Sequence, residues 1–125
     1  MRLLYQLHKY LGLAAGALLL VSGITGGLLV FGDEIERAWH PALKRVEPGA
    51  APAALETLVE RARAAYPHGT PAFVRLPASA SEAVEVYMDS DEGPRVFLDP
   101  YRATVLGVRG PRETFKGLLL ALHTQ

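Results

Sequence analysis

The sequence predicts an α+β membrane protein: one N-terminal transmembrane helix, a small αβββ domain, and the start of a second amphipathic or membrane helix. Three observations predict this. Residues 11–32 carry no charge, residues 53–109 pass from a helical to an alternating apolar pattern, and the residues after 112 return to the helical period. The chain divides accordingly into a transmembrane helix with juxtamembrane extension (1–39), a linker (40–52), an α+β domain (53–109) and a second helix (112–125). That last helix stops mid-pattern without a C-cap signal and reads as truncated.

The first element is the apolar segment LGLAAGALLLVSGITGGLLVFG at 11–32. At about 1.5 Å of rise per residue it is about 33 Å long, enough to cross a hydrocarbon core of about 30 Å. A helix pairs all of its backbone polar groups internally, which a lone segment in lipid must do. A buried soluble helix is excluded by size, because the remaining chain is too short to enclose this segment on every side. Arg2 and Lys9 resemble the basic start of a secretory signal. A signal's apolar core runs only about 7–15 residues, however, and ends in an A-x-A-like motif that does not follow here. An uncleaved anchor is therefore expected.

Gly12, Gly16, Gly23 and Gly27 are spaced four, seven and four apart. At about 100° per residue they fall within about 60° of one another, giving two stacked G-x-x-x-G pairs. That stripe is a helix-packing face for another transmembrane helix, from a second copy or a partner subunit. His8 borders it. Charge sets the orientation weakly, since Arg2, Lys9 and the amino terminus oppose Arg37, Lys44 and Arg45. A short N-terminus before a long polar region favours a cytoplasmic N-terminus, with 40–125 extracytoplasmic.

Beyond the span, DEIERAW (33–39) extends the helix into the headgroup region and places Trp39 at the interface. Pro41, Pro48, Gly49 and Pro52 mark the linker. Leu55, Leu58, Val59, Ala62 and Tyr66 follow the i, i+3, i+4 rule of an amphipathic helix that Pro67 ends. Strands are expected at 72–76, at 83–89, at 95–99 and at 104–108. In the second, Val84, Val86 and Met88 share one face and Glu85, Tyr87 and Asp89 the other. Asp91-Glu92-Gly93-Pro94 and Asp99-Pro100-Tyr101-Arg102 supply turns. In the last helix Phe115, Leu118, Leu119 and Leu122 share a face that His123 borders.

Thirteen acidic and thirteen basic residues cancel, so the chain has no electrostatic footprint for nucleic acid. With no cysteine, disulfides, thiolate metal sites and cysteine nucleophiles are excluded. No phosphate loop, nucleophile elbow or H-E-x-x-H stands in the sequence, so no catalytic residue is nominated and no metal site is expected. Asp33, Glu34 and Glu36 mark the membrane exit. His40 and His68, beside Pro41 and Pro67, are expected to be solvated and lack metal-ligand spacing. The partners expected are the lipid bilayer and other transmembrane helices.

LHKYLGLAAG at 7–16, SGITGGLLVFGDEIERAWHP at 22–41, the αβββ unit ending FLDPYRATVLG at 97–107, and FKGLLLALHTQ at 115–125 together resemble the PepSY-associated transmembrane family of bacterial inner-membrane proteins. The resemblance spans essentially the whole chain and corresponds to the N-terminal portion of longer, multi-spanning members. It implies a PepSY-like fold for 53–109 and location in the bacterial inner membrane. Some relatives reduce ferric siderophores during iron uptake, passing electrons through b-type haem held by histidines in the helical bundle. By position, His8 and His123 match the histidines of the family's two helical motifs, and become the candidate haem ligands. Two other readings stand beside electron transfer: a membrane-anchored binding or regulatory module using Tyr87, Tyr101 and an open sheet face, and a truncated remnant of the longer protein. Whether the chain is an enzyme stays open; only the resemblance implies an oxidoreductase.

Overall fold

The computed structural model describes residues 1–124. Gln125, the last residue of the predicted second helix, lies outside the described residues. The first element, α1 (Arg2–Val30), spans the apolar segment and the residues before it. Nearly all its large apolar side chains, among them Leu11, Leu18, Leu20 and Ile24, are exposed in the isolated chain, as a lipid-facing surface requires. It is the one described helix long and apolar enough to cross a membrane.

The rod breaks at Phe31 and continues as α2 (Gly32–Trp39). His40 leaves helical geometry because the residue before a proline is sterically kept from the α region. Pro41 then opens the short α3 (Pro41–Lys44), where its missing N–H is no loss. The predicted linker therefore contains a helical turn. It also touches the sheet, through a bridge from Arg45 to Glu82.

The amphipathic pattern forms α4 (Leu55–Ala65), and Tyr66 ends it before Pro67. Four strands follow: β1 (Thr70–Arg75), β2 (Val84–Asp89), β3 (Arg95–Leu98) and β4 (Val105–Arg109). They make an antiparallel meander in the order β1-β2-β3-β4. All four expected strands form, so the unit is αββββ. The short first segment starts earlier than expected, at Thr70, and pairs with β2 from Thr70↔Asp89 to Arg75↔Glu85 around a bulge.

Alternation sorts the sheet into two faces. Val84, Val86, Met88, Val96 and Leu98 are buried against Leu58 and Ala62 of α4, forming the core of the domain. The opposite face carries Phe73, Glu85, Tyr87 and Phe97; it is covered over β3 and β4 and exposed at Phe73. α3 lies across β3 and β4, with Leu43 so close to Gly107 that a Cβ there would meet Leu43 Cδ2 at 2.6 Å. Phe73 stacks on Tyr87 with ring centroids 4.4 Å apart, and the Arg95 guanidinium sits 5.0 Å over the Tyr87 ring. The Tyr101 hydroxyl donates to the Ala80 carbonyl at 2.8 Å. The two tyrosines expected to line an open face are thus engaged within the domain itself.

A 3-10 turn (Pro111–Glu113) leads into α5 (Phe115–His123). Lys116 packs on Gly32 and His123 on Gly26, so α5 runs antiparallel to α1 and returns along its C-terminal half. Leu118, Leu120 and Leu122 remain exposed, as on α1.

Candidate functional site

Where α5 meets α1, one polar contact lies within the apolar span. Thr25 is buried, and its hydroxyl lies 2.8 Å from His123 Nδ1, 98 residues away in sequence. The same hydroxyl donates to the Val21 carbonyl at 2.7 Å, the usual way a threonine satisfies itself inside a helix. Gly26 makes the approach possible. A Cβ at that position would lie 3.3 Å from the imidazole Cε1, tighter than ordinary packing. His123 itself stays exposed beyond this contact.

His8 lies near the opposite end of α1 and is exposed. At about 1.5 Å per residue it is about 26 Å along the axis from Thr25, so the structure does not bring His8 and His123 together. Gly12, Gly16, Gly23 and Gly27 likewise face open space, with nothing within 4 Å of a Cβ at any of them. The helix that α1 does meet, α5, sits on the Thr25 and Gly26 side, and Gly26 is turned about 100° from Gly27. His68 is exposed and His40 half-buried, and no cluster of metal-binding side chains occurs among the described residues.

The acidic exit motif fastens the domain to the membrane helices. Asp33 pairs with Arg75 of β1 at 3.0 Å, and Lys116 of α5 lies 3.7 Å away. Arg37 pairs with Glu82 and also with Glu34 at 3.5 Å. Lys44 forms a buried ion pair with Glu85, which Arg95 and Arg75 approach at 3.6 and 3.8 Å. Three acids (Asp33, Glu82, Glu85) and three bases (Arg37, Lys44, Arg75) thus share one small cleft with no net charge. Burial alone would push the Asp33 carboxyl up, but the hydrogen bond and charge of Arg75 outweigh it and hold the pKa below the usual range. Asp33 in turn raises the pKa of the Arg75 guanidinium. Burial raises the Tyr87 phenol.

Glu36 is buried and accepts the Phe115 N–H at 2.9 Å, while Thr114 accepts the Gly117 N–H at 3.1 Å. Together they satisfy two of the free donors at the start of α5, and the carboxylate lies at the positive end of its dipole. Trp39 packs on Phe115, with centroids 5.4 Å apart, where the end of α2 meets the start of α5. The roles of Thr25, Gly26 and Glu36 escape a reading of the sequence. The one available signal was that Thr25 is a polar residue inside an apolar span and must find a partner.

No curated protein matches the chain in sequence. The family model described as the PepSY-associated TM region matches residues 5–125, from the start of α1 through α5. With the apolar span, the α+β domain and the returning helix in the expected order, this chain belongs to the PepSY-associated transmembrane family.

Proposed function

We propose that this chain is part of a haem-dependent electron-transfer system of the bacterial inner membrane, linked to reduction of ferric siderophores and iron uptake. Its N-terminus is cytoplasmic and its domain extracytoplasmic. His8 and His123 would each help to hold a b-type haem through a ring nitrogen. The observation that carries this reading is the environment of His123. It is a histidine on the helix that packs along α1, hydrogen-bonded through Nδ1 to a buried threonine of the apolar span and otherwise exposed. An imidazole so placed fits haem iron, which takes a neutral nitrogen ligand and whose potential depends on burial and on hydrogen bonding around the ligand. When bound, haem supplies one-electron transfer.

The two histidines are too far apart to share one haem and would each hold a separate one. The second ligand of each comes from other transmembrane helices, and the open stripe of Gly12, Gly16, Gly23 and Gly27 offers such helices a close approach.

The test is the reduced-minus-oxidised absorbance spectrum of detergent-solubilised protein, with His8→Ala and His123→Ala alongside. A b-type signal weakened or lost in either variant supports the assignment. A colourless, folded protein overturns it and leaves a membrane-anchored PepSY-like binding module.

A further inference from the structure

Thr25 and His123 form a hydrogen bond whose direction can be read from its surroundings. The Thr25 hydroxyl has one proton, and that proton is directed to the Val21 carbonyl at 2.7 Å, with the Ser22 carbonyl at 3.2 Å as a second acceptor. Its oxygen therefore meets His123 Nδ1 at 2.8 Å as an acceptor, and the ring must donate. The neutral imidazole then carries its proton on Nδ1 and leaves the Nε2 lone pair free. In water a histidine side chain prefers the opposite tautomer, with the proton on Nε2, so the contact selects the form that ligates through Nε2.

We infer that Thr25 is a positioning residue that fixes His123 in its Nδ1–H tautomer and presents Nε2 to a ligand-accepting metal centre. The use of Nε2 rests on the haem reading above; the tautomer does not. Gly26 belongs to the same device, because a Cβ there would crowd the imidazole Cε1 at 3.3 Å and press the ring away from the hydroxyl. The packing of Lys116 on Gly32 sets the register of α5 from the other end. Hydrogen bonds to the second nitrogen of a ligating histidine orient the ring and raise its basicity, and losing one typically weakens metal binding about 10–100-fold.

The experiment uses the full chain in lipid nanodiscs, labelled with 15N-histidine and without haem, with the His123 signals assigned by difference from His123→Ala. The expected result is a protonated Nδ1 and an unprotonated Nε2 in the wild type. Thr25→Ser keeps this state, and Thr25→Val moves the proton to Nε2. A wild-type His123 protonated on Nε2, or a tautomer unchanged in Thr25→Val, overturns the inference. Titration with hemin is the second readout. Thr25→Val is expected to weaken uptake by at least about tenfold, with Thr25→Ser close to wild type. If the wild type takes up no hemin, the haem reading fails, and the nitrogen spectra still decide the role of Thr25.

Discussion

The carboxylate of Glu36, buried just beyond the membrane exit, accepts the backbone N–H of Phe115, 79 residues further along the chain, at 2.9 Å. One side chain of α2 thereby caps the start of α5. Glu36→Ala is expected to lower stability by about 1–2 kcal/mol, the range for losing a helix N-cap. Hydrogen exchange at the amides of residues 115–117 reads this locally. Unchanged protection there would mean that Thr114 alone caps the helix.

Acid should loosen the domain from the membrane helices. Burial would raise the carboxyls of Asp33 and Asp99. Arg75 opposes this at Asp33, and the Tyr101 N–H and Arg102 oppose it at Asp99, so both fold with pKa values below the ordinary 3.8. A depressed folded pKa contributes stability that is complete above the unfolded value and is lost as pH falls through the folded one. Stability is therefore expected to fall below about pH 4. Arg75 stays charged throughout and adds no slope, since its own pKa is raised. Thermal unfolding against pH, with Asp33→Asn and Asp99→Asn, checks this; the double variant should show a flatter acid limb.

Gly117 lies where the 3-10 turn folds under α5, and a Cβ there would run into the carbonyl of Pro111. Backbone cannot swing aside as a side-chain tip does, so the Pro111–Glu113 turn or the helix start must move. Gly117→Ala is expected to cost about 1–3 kcal/mol despite alanine's better helix propensity. A chemical-denaturation midpoint equal to wild type would show that this junction adapts.

The four-glycine stripe gives the opposite expectation. Gly16→Leu and Gly23→Leu have open space around them and should leave the fold of the isolated chain intact. They should, however, block any helix that approaches α1 along that face. Energy transfer between labelled copies in vesicles distinguishes the cases: loss of transfer in the variants marks self-association. Transfer that is equal in wild type and variants would remove the stripe as an interface between copies.

Local pattern was enough for most of the fold. The uncharged run at 11–32, the helical spacing of Leu55 to Tyr66 and the alternation of Val84 to Asp89 each report the solvent or partner that their own side chains face. The first strand was underestimated because TPAFVR contains a proline and a bulge, which blur an alternating signal. Alternation alone leaves the whole second face of the sheet open, whereas in the fold only the Phe73 end stays exposed. Nothing in the alternation of β2 shows that α3, formed by the linker, folds back to cover Phe97 and Gly107. The candidate histidines were found by resemblance, and the hydroxyl that holds one of them could not be.

The sequence by itself determined the membrane span, the helix-and-sheet composition of the domain and the return to a helix after Arg112, because each depends on the hydrophobic period within one short segment. Only the tertiary structure decided which residues meet across the chain: Thr25 with His123, Glu36 with Phe115, Asp33 with Arg75. Those contacts follow from α5 reversing along α1 and from the domain docking on the membrane exit. Polar groups withdrawn from water there must pair with whatever the fold brings within reach, and sequence distance carries no record of that.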